Sequence, residues 1–255
     1  MSHSAHDNGD AIVSFREVSF AINGGAPIID RLSFDVAPGE TLVLLGESGC
    51  GKTTTLRLVN RLLQPTAGRV LVEGKATTDW DVIRLRRRTG YVIQEAGLFP
   101  HFTVAENVGL VPSLEDWSED RITTRVTELL SLVGLEPEKF SDRYPRELSG
   151  GQRQRVGVAR ALAADPPLLL MDEPFGALDP LTRASLQKEF AELRSRLGKT
   201  VIFVTHDVRE ALMLGTRIAL MDTGKIVLLE TPEAFVESEN QLAQAYLETL
   251  TSGHG

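Results

Sequence analysis

Short apolar runs alternate with longer amphipathic stretches along most of the chain. Several of these runs are bounded by turn or polar residues and have the length of buried strands. They occupy residues 41–45, 90–93, 168–171, 201–204 and 217–221. Apolar residues recur at helical spacing elsewhere, at residues 54–63, 83–88, 121–133, 156–163 and 180–197. The alternation of strand and helix patterns predicts an α/β fold.

The N-terminal part of the chain has a different pattern. Residues 11–23 and 28–36 alternate apolar and polar positions, which predicts two strands joined by a turn at Gly24-Gly25. Residues 69–72 resume as a further strand. Residues 1–10 are polar and lack an apolar signal core, so we expect a disordered lead there.

A mostly helical segment at about residues 95–165 interrupts the strand pattern. It predicts a helical subdomain inserted into a single domain that spans residues 11–236. The pattern of residues 232–250 is also helical, with Thr231 as the N-terminal cap. We therefore expect residues 237–255 to form a C-terminal helix and tail.

Composition narrows the possible functions. A formal net charge of −8 argues against a nucleic-acid binder, and the basic run at residues 84–88 fits a solvated helix face. The single cysteine, Cys50, excludes a disulfide framework and suits a reducing compartment. No apolar run approaches the roughly 18 residues of a membrane helix. A role at a membrane would therefore need a partner that spans the bilayer.

The loop between the strand at residues 41–45 and the following helix matches the phosphate-binding pattern G-x-x-x-x-G-K-S/T. Its glycines allow the backbone to wrap closely around an anion, and the helix N-terminus favours phosphate. Lys52 is expected to reach the β- and γ-phosphates, and the Thr53 hydroxyl to ligate Mg²⁺. The predicted nucleotide contacts are Gly46, Glu47, Ser48, Gly49, Cys50, Gly51, Lys52, Thr53 and Thr54.

Polar side chains follow several of the predicted core strands. Asp172 and Glu173 end an apolar strand, and we expect Asp172 to hold Mg²⁺ and Glu173 to polarise an attacking water. His206 ends another strand, where it either touches the γ-phosphate or orients Glu173. Gln94 also ends a strand, where it senses Mg²⁺ or the attacking water. The three predicted catalytic residues are therefore Glu173, His206 and Gln94, and the predicted metal ligands are Thr53, Gln94 and Asp172.

A second anion site is predicted at a helix start. Ser149 is a good cap, and Gly150 and Gly151 expose N–H groups in front of a helix that begins near Arg153. One nucleotide does not need two such sites. Two identical chains that meet head to tail would use both, which predicts a two-fold dimer with Ser149, Gly150, Gly151 and Gln152 facing the partner's phosphate loop.

The order of these motifs resembles the nucleotide-binding subunit of ABC transporters over about residues 13–236. The resemblance implies a P-loop NTPase core, with a RecA-like parallel sheet, an antiparallel β subdomain and an inserted α-helical subdomain. It implies an ATP hydrolase in which two chains sandwich two ATP molecules with Mg²⁺. Asp179 would lie at the dimer interface, and residues 95–107 would contact a coupling helix of a membrane-spanning permease.

The detailed sequence of residues 90–101 and 172–183 is similar to that of the importers of glycine betaine, choline, carnitine and proline. This implies a peripheral subunit on the cytoplasmic face of the inner membrane, which is served indirectly by an external substrate-binding protein. The alternatives are another ABC importer, of the amino-acid or nitrate/sulfonate type, and an export or lipid-transport system. A soluble ABC protein usually carries two nucleotide domains or a long coiled coil, and neither is present in this sequence. A P-loop kinase or switch is disfavoured by the second anion site.

Two positions near the nucleotide remain open at this point. Spacing from Val18 places Ile22 where the family usually stacks an aromatic residue on adenine, whereas Phe20 would face the other side of an ideal strand. A local irregularity could instead turn Phe20 inward. Cys50 lies near a helix N-terminus, where thiolates are stabilised, so we expect alkylation of Cys50 to block ATPase activity and ATP to protect it.

Overall fold

In a computed structural model, the described residues are 11–94 and 96–252, without the side chains of residues 194–197, 251 and 252. The predicted lead at residues 1–10 lies outside them. The strands are β1 (Val13–Ala21), β2 (Pro27–Val36), β3 (Thr41–Leu45), β4 (Ala67–Val72), β5 (Lys75–Ala76), β6 (Thr89–Val92), β7 (Leu168–Asp172), β8 (Thr200–Thr205), β9 (Arg217–Asp222) and β10 (Lys225–Glu230). The helices are α1 (Lys52–Val59), α2 (Val82–Arg87), α3 (Val104–Leu114), α4 (Glu119–Leu132), α5 (Pro137–Phe140), α6 (Gly150–Leu162), α7 (Pro180–Leu197), α8 (Val208–Leu214), α9 (Pro232–Val236) and α10 (Gln241–Ser252).

The core is a six-stranded sheet in the order β10-β9-β3-β8-β7-β6. All neighbours pair in parallel except β10, which runs antiparallel to β9. The carboxyl ends of β3, β6, β7 and β8 therefore meet at one edge, and the loops after them carry the phosphate loop, Gln94, Glu173 and His206. This arrangement confirms the predicted P-loop NTPase core.

Alternate residues of the central strands enter two different hydrophobic clusters, because successive side chains of a strand point to opposite faces. One face packs with α3, α4, α6, α7 and α8, and the other packs with α1 and a second sheet. The strands are apolar throughout because both of their faces are covered. The first cluster takes Val43, Leu45, Leu169, Met171, Val201 and Phe203, and the second takes Leu42, Leu44, Leu168, Leu170, Ile202 and Val204.

The second sheet has four strands in the order β2-β1-β4-β5, and every pair is antiparallel. Phe15 and Phe34 face each other across β1 and β2 with stacked rings whose centroids are 4.5 Å apart. This sheet is the predicted antiparallel β subdomain. It packs on the same face of the core as α1, so the helix that follows the phosphate loop lies between the two sheets.

Helices α3 to α6 and a short 3-10 helix at Pro145–Glu147 lie between β6 and β7. Two of the α-helices begin with capping boxes, Thr103 with Glu106 at α3 and Ser149 with Gln152 at α6. Helix α6 begins at Gly150 rather than near Arg153, because its polar first turn hides the apolar periodicity. Within the described residues, no helix has the length and apolarity required to cross a bilayer.

Three local predictions differ from the structure. The first helix ends at Val59 instead of residue 63, because Asn60 leaves helical geometry and Arg61 adopts φ +53°. The helical pattern of residues 232–250 divides in two, since the Asn240 carboxamide accepts the N–H groups of Leu242 and Ala243 and starts α10 separately. Strand β10 was missed because its consecutive apolar residues do not alternate.

Candidate functional site

The phosphate loop joins β3 to α1 by a tight backbone path. Gly51 has φ +106°, and a Cβ at this position would lie 2.6 Å from Cδ1 of Ile29. Only glycine therefore fits between the loop and the second sheet. No side chain caps α1, so the N–H groups of its first turn point out of the helix without an internal acceptor. The loop has the conformation and the free donors that an anion site needs.

Lys52 is buried at 4% exposure inside this loop. Its ammonium donates to the carbonyl oxygens of Gly46 at 2.6 Å and Glu47 at 2.7 Å. In the described part of the chain, no carboxylate forms a salt bridge with Lys52. A buried cation held by carbonyl dipoles and the Cys50 sulfur gains from an anionic ligand, because charge burial is costly without a counter-charge. The residues of the loop therefore fit a nucleotide phosphate.

Asp172 lies at the end of β7 opposite the phosphate loop. The Thr53 hydroxyl donates to its Oδ1 at 2.8 Å, and the Tyr91 hydroxyl donates to its Oδ2 at 3.3 Å. Burial raises the pKa of Asp172, while hydrogen bonds from Thr53 and Tyr91 partly offset that rise. A hydroxyl and a carboxylate side by side are the oxygen donors that Mg²⁺ prefers, so Thr53 and Asp172 fit the predicted metal site. Tyr91, on the neighbouring strand β6, was not predicted.

Glu173 and His206 face each other at the same edge of the sheet. Nδ1 of His206 lies 3.2 Å from Oε2 of Glu173, so an Nδ1–H imidazole donates to that carboxylate. Glu173 has φ +44°, an uncommon conformation for a residue other than glycine. Its N–H is held by the carbonyl oxygen of Val204 at 3.1 Å. Of the two predicted roles of His206, this geometry favours the orientation of Glu173.

The Gln94 carboxamide approaches the same group of residues. A Cβ added to Gly176 would lie 3.1 Å from Nε2 of Gln94 and 3.6 Å from Oε2 of Glu173. The glycine thus lets the Gln94 amide and the Glu173 carboxylate reach one point from different strands. The structure places all three predicted catalytic residues, Gln94, Glu173 and His206, at this edge.

The C-terminal helix α10 forms one wall of this site. The sequence predicted a helix there but did not indicate that it lines the site. A cleft of about 680 Å³ is lined on one side by Glu47, Ser48, Glu173 and His206. Its other side is formed by Leu242, Ala245, Tyr246 and Thr249 of α10. Burial, together with the charges of Glu47, Cys50 and Asp222, raises the pKa of Tyr246 to about 12. No motif marks these residues, so sequence reasoning had no signal for them.

Residues 149–152 form a helix start on the inserted subdomain. Ser149 accepts the N–H of Gln152 at 3.2 Å, and the Gln152 side chain accepts the N–H of Ser149 at 2.9 Å. A Cβ on Gly151 would lie 2.6 Å from Cγ2 of Thr182, so this helix start packs against α7. Helix α6 contacts α3, α4, α7 and β6, whereas the phosphate loop lies between β3 and α1. The two predicted anion sites therefore stand on different parts of the chain.

Asp179 lies at the start of α7, next to the Ser149 motif. Its carboxylate accepts the N–H of Thr182 at 3.1 Å, and this hydrogen bond lowers the pKa of Asp179. Nearby, a Cβ on Gly150 would be 3.7 Å from Cδ2 of Leu178. Asp179 is exposed, so it is accessible to a partner chain beside residues 149–152.

The structure distinguishes Ile22 from Phe20. Ile22 is 59% exposed beyond the end of β1, whereas Phe20 is only 9% exposed and belongs to the core cluster beneath α1. The register of β1 against β2 shifts on both sides of Phe20, so the strand is irregular there. That irregularity leaves the Phe20 ring in the core, and Ile22 remains the accessible candidate for an adenine contact.

Cys50 requires a correction to the expected thiol chemistry. Its side chain is buried at 7% exposure, and burial raises the pKa of the thiol, an effect that Lys52 only partly opposes. The expectation of a stabilised thiolate near the helix N-terminus is therefore wrong. Cys50 fills space beside Gly46, where a Cβ would approach its sulfur at 2.7 Å.

Comparison with known proteins agrees with this geometry. The family profile described as ABC transporter matches residues 29–176, which include the phosphate loop, the Ser149 motif and the acids after β7. The chain belongs to the ABC transporter family. The matched residues also contain the helices α3 to α6 that lie between β6 and β7.

One relative is the glycine betaine/carnitine/choline transport ATP-binding protein of Bacillus subtilis. It is 48% identical over 237 residues, which cover 92% of this chain and 62% of the relative. The chain therefore spans less than two thirds of the length of that ABC protein.

Solved structures of ABC proteins share the fold. An ATP-binding cassette solved as a dimer in a post-hydrolysis state, with ADP and phosphate, has a TM-score of 0.76 at 33% identity. The alignment covers 86% of this chain and 98% of the cassette. A component of the cbiONQ ABC transporter complex from Clostridium perfringens has a TM-score of 0.82 at 28% identity, and covers 96% of this chain and 98% of its own.

Proposed function

We propose that this chain is the ATP-hydrolysing subunit of an ABC importer that takes up a quaternary amine or a related osmoprotectant. The observation that carries the proposal is the meeting of Lys52, Asp172, Glu173 and His206 at one edge of the core sheet. In that order, these side chains supply a cation that binds phosphate, a metal ligand, a general base and an imidazole that orients the base. Hydrolysis of a nucleotide γ-phosphate needs these groups.

The chain's own residues divide the work of hydrolysis. The phosphate-loop N–H groups and Lys52 bind and orient the phosphates, and Thr53, Asp172 and Gln94 would hold Mg²⁺. Glu173 accepts a proton from the attacking water, while His206 keeps the carboxylate in position through Nδ1. Bound Mg²⁺ would neutralise charge on the phosphoryl group. The α10 wall restricts access of bulk water from one side.

The proposed working unit is a head-to-tail dimer. The motif at residues 149–152 is a helix N-terminus with a cap and two glycines, and the exposed Asp179 lies next to it. A second copy that brings this surface to the phosphate loop would complete two equivalent ATP sites. A related ATP-binding cassette was solved as a dimer with ADP and phosphate, which supports this arrangement. ATP binding would close the dimer, and hydrolysis would reopen it.

The loop after Gln94 is the proposed contact with the permease, although Glu95 lies outside the described residues. Asn107 is fully buried and fixes the loop, since its carboxamide accepts from Phe99 N–H and donates to the carbonyls of Phe99, Phe102 and Thr103. This anchoring leaves the Phe99 ring 47% exposed beside a groove of about 290 Å³ between the core and α3. An apolar side chain held at the rim of a groove suits a helix of a partner.

The substrate class rests on the relatives. The similar protein from Bacillus subtilis is named for transport of glycine betaine, carnitine and choline, and this favours an importer of such amines over an exporter. The proposal places the chain at the cytoplasmic face of the inner membrane, bound to permease subunits that are served by an external binding protein.

Hydrolysis is tested with Glu173→Gln in the purified full chain. We expect kcat to fall at least about 10²-fold while ATP binding persists, because the amide cannot accept the proton from water. The matched control is Glu136→Gln, at an exposed carboxylate paired with Lys139 on a distant helix. Near-normal turnover of Glu173→Gln would remove Glu173 from the base role.

Transport is tested by reconstitution with the permease subunits that copurify with this chain and with a candidate external binding protein. Labelled glycine betaine, choline and carnitine are compared with an amino acid and with nitrate in ATP-loaded vesicles. We expect amine uptake only, and Phe99→Ala to reduce uptake while basal ATPase activity stays within about twofold. Val236→Ala, at a side chain of 53% exposure on α9, serves as control. ATP-dependent uptake of another class would overturn the substrate assignment.

A further inference from the structure

A buried carboxylate, Glu210, lies on α8 behind the proposed hydrolysis site, where it has no proposed contact with phosphate or metal. The residue is 5% exposed. Its Oε2 accepts the Thr205 hydroxyl at 2.5 Å, and its Oε1 accepts the Gln187 carboxamide at 2.7 Å. Burial raises the pKa of Glu210, and these two hydrogen bonds lower it. The carboxylate therefore links three elements, namely β8, α8 and α7.

The bond to Thr205 fixes the backbone that carries His206. Thr205 is the last residue of β8, and its hydroxyl donates to Glu210 while it accepts the N–H of Asp207 at 2.9 Å. One hydroxyl thus holds the turn on both sides of His206. Rotation of this turn would move Nδ1 of His206 away from Oε2 of Glu173, which is now 3.2 Å distant.

The bond to Gln187 ties the same carboxylate to the loop that follows Glu173. Gln187 lies on α7, and Arg183 on that helix donates to the carbonyl oxygens of Phe175, Gly176 and Leu178. The first residues of α7 follow Asp179, which faces the proposed partner chain. Glu210 is therefore placed between the element that holds Glu173 and the element that holds His206.

We propose that Glu210 is a positioning residue that holds His206 against Glu173 and joins this pair to α7. The inference rests on the proposed roles of Glu173 and His206. A displacement of α7 by the partner chain would pass through Gln187 and Glu210 to the turn that carries His206. The carboxylate acts through these side chains and touches no reacting atom.

If Glu210 had a purely structural role, its replacement would act through the stability of the fold and not through the position of His206. Replacement of a buried carboxylate by an amide removes a charge that is costly to bury, so Glu210→Gln is not expected to unfold the chain. If the new side chain keeps its oxygen towards Thr205, its N–H₂ group faces the N–H₂ group of Gln187, so one of the two carboxamides has to turn over to restore a hydrogen bond. The inverted pair, Gln187→Glu with Glu210→Gln, restores one carboxylate and one amide and leaves an oxygen for Thr205.

The experiment measures ATP hydrolysis by the purified full chain with Mg²⁺. For Glu210→Gln we expect kcat to fall about tenfold and KM to stay within about twofold, since the phosphate loop is unchanged. We expect the inverted pair to recover at least about half of the lost activity, a coupling that a double-mutant cycle reports. Thermal unfolding is recorded for every variant.

The matched control is Glu40→Gln, because Glu40 is also a buried carboxylate with two partners. It accepts the N–H of Ala37 and pairs with Arg217 before the start of β3, at the opposite end of the strand from the phosphate loop. We expect its kcat to equal that of the wild type. Equal losses of kcat in Glu40→Gln and Glu210→Gln would overturn the positioning role.

Two further outcomes are decisive. Full activity of Glu210→Gln, or a folded inverted pair without recovery, overturns the proposal while the ATPase assignment stands. His206→Ala is measured in parallel, and wild-type activity in that variant would overturn the proposed role of His206 itself. An inactive wild-type chain would instead contradict the proposed function, so the two failures are distinguished.

Discussion

Asp172 is a buried carboxylate whose proposed role as a metal ligand fits its cost to stability. Its carboxylate is held by hydroxyls from Thr53 and Tyr91, and burial raises its pKa. A raised pKa means that folding disfavours the ionised form, so the residue contributes less to stability at neutral pH than at acidic pH. A carboxylate in this position is understandable as a ligand prepared for a cation.

The first prediction concerns Asp172→Asn. At about pH 7.5 we expect the unfolding temperature to rise by about 2–4 °C, which corresponds to roughly 1 kcal/mol, while ATPase activity is lost. The gain should shrink as the pH falls through the raised pKa of Asp172 towards about pH 4.5, because both side chains are then neutral. Calorimetry at the two pH values checks this, and a pH-independent gain would contradict it.

The second prediction concerns the exposed Ile22. We expect Ile22→Tyr to tighten ATP binding about fivefold, since an aromatic ring adds stacking with adenine. Val227→Tyr, at a 41% exposed position on β10, should leave the affinity unchanged. Phe20→Ala should instead destabilise the chain by about 3–5 kcal/mol, because the Phe20 ring is buried in the core. Unchanged ATP affinity in Ile22→Tyr would exclude residue 22 as the adenine contact.

At the scale of elements, two helix N-termini provide the proposed anion sites in different ways. Helix α1 has Gly51 before it and no side-chain cap, which leaves its N–H groups available within one chain. Helix α6 is already capped by Ser149, whose hydroxyl accepts the Gln152 N–H and can still donate outward. The first site suits phosphates held by the chain itself, and the second suits a phosphate brought by another chain.

The third prediction separates capping from function at α6. Ser149→Ala should cost about 1 kcal/mol of stability and also reduce ATPase activity about tenfold or more. Thr231→Ala is the matched control, because Thr231 caps α9 by accepting the Ala234 N–H at 3.3 Å, away from the motifs. We expect a similar loss of stability with normal activity in Thr231→Ala. Thermal unfolding and ATPase assays are compared for both, and equal activities would refute a contact between Ser149 and ATP.

At the scale of the whole molecule, the proposed site is divided between two chains. Lys52, Asp172, Glu173 and His206 meet in one chain, while the Ser149 motif stands on the inserted subdomain. The proposed head-to-tail pairing would complete each site with residues of both chains. Activity should therefore depend on how defects are distributed between the partners.

The fourth prediction uses mixed variants. Lys52→Ala and Ser149→Arg should each be inactive, but an equal mixture should regain about a quarter of wild-type ATPase activity, because half of the dimers then contain one intact site. A mixture of Lys52→Ala with Glu173→Gln should stay inactive, since both defects affect the same side of the site. If neither mixture recovered ATPase activity, the result would argue against ATP sites shared between two chains.

The sequence determined much of this protein because several signals are local. The phosphate loop is fixed by glycines and Lys52 at set spacings, and strands covered on both faces must be apolar throughout. Both signals can be read from the sequence without the fold, so five of the six core strands, the α/β fold and the residues of the loop were predicted, whereas β10 was missed. The role of Gln94 was inferred from its place at a strand end, that of Ser149 from its place at a helix start, and that of Asp179 from the family resemblance. All three remain proposals.

Tertiary structure decided what depends on contacts between distant segments. The Tyr91 bond to Asp172, the α10 wall beside Glu47 and the link from Gln187 to Glu210 join residues far apart in the chain, so no local pattern marks them. The Cys50 thiol was misjudged for the same reason, because burial by the surrounding fold outweighs its place near a helix start. Local pattern determines which elements form, whereas packing determines the environment of each side chain.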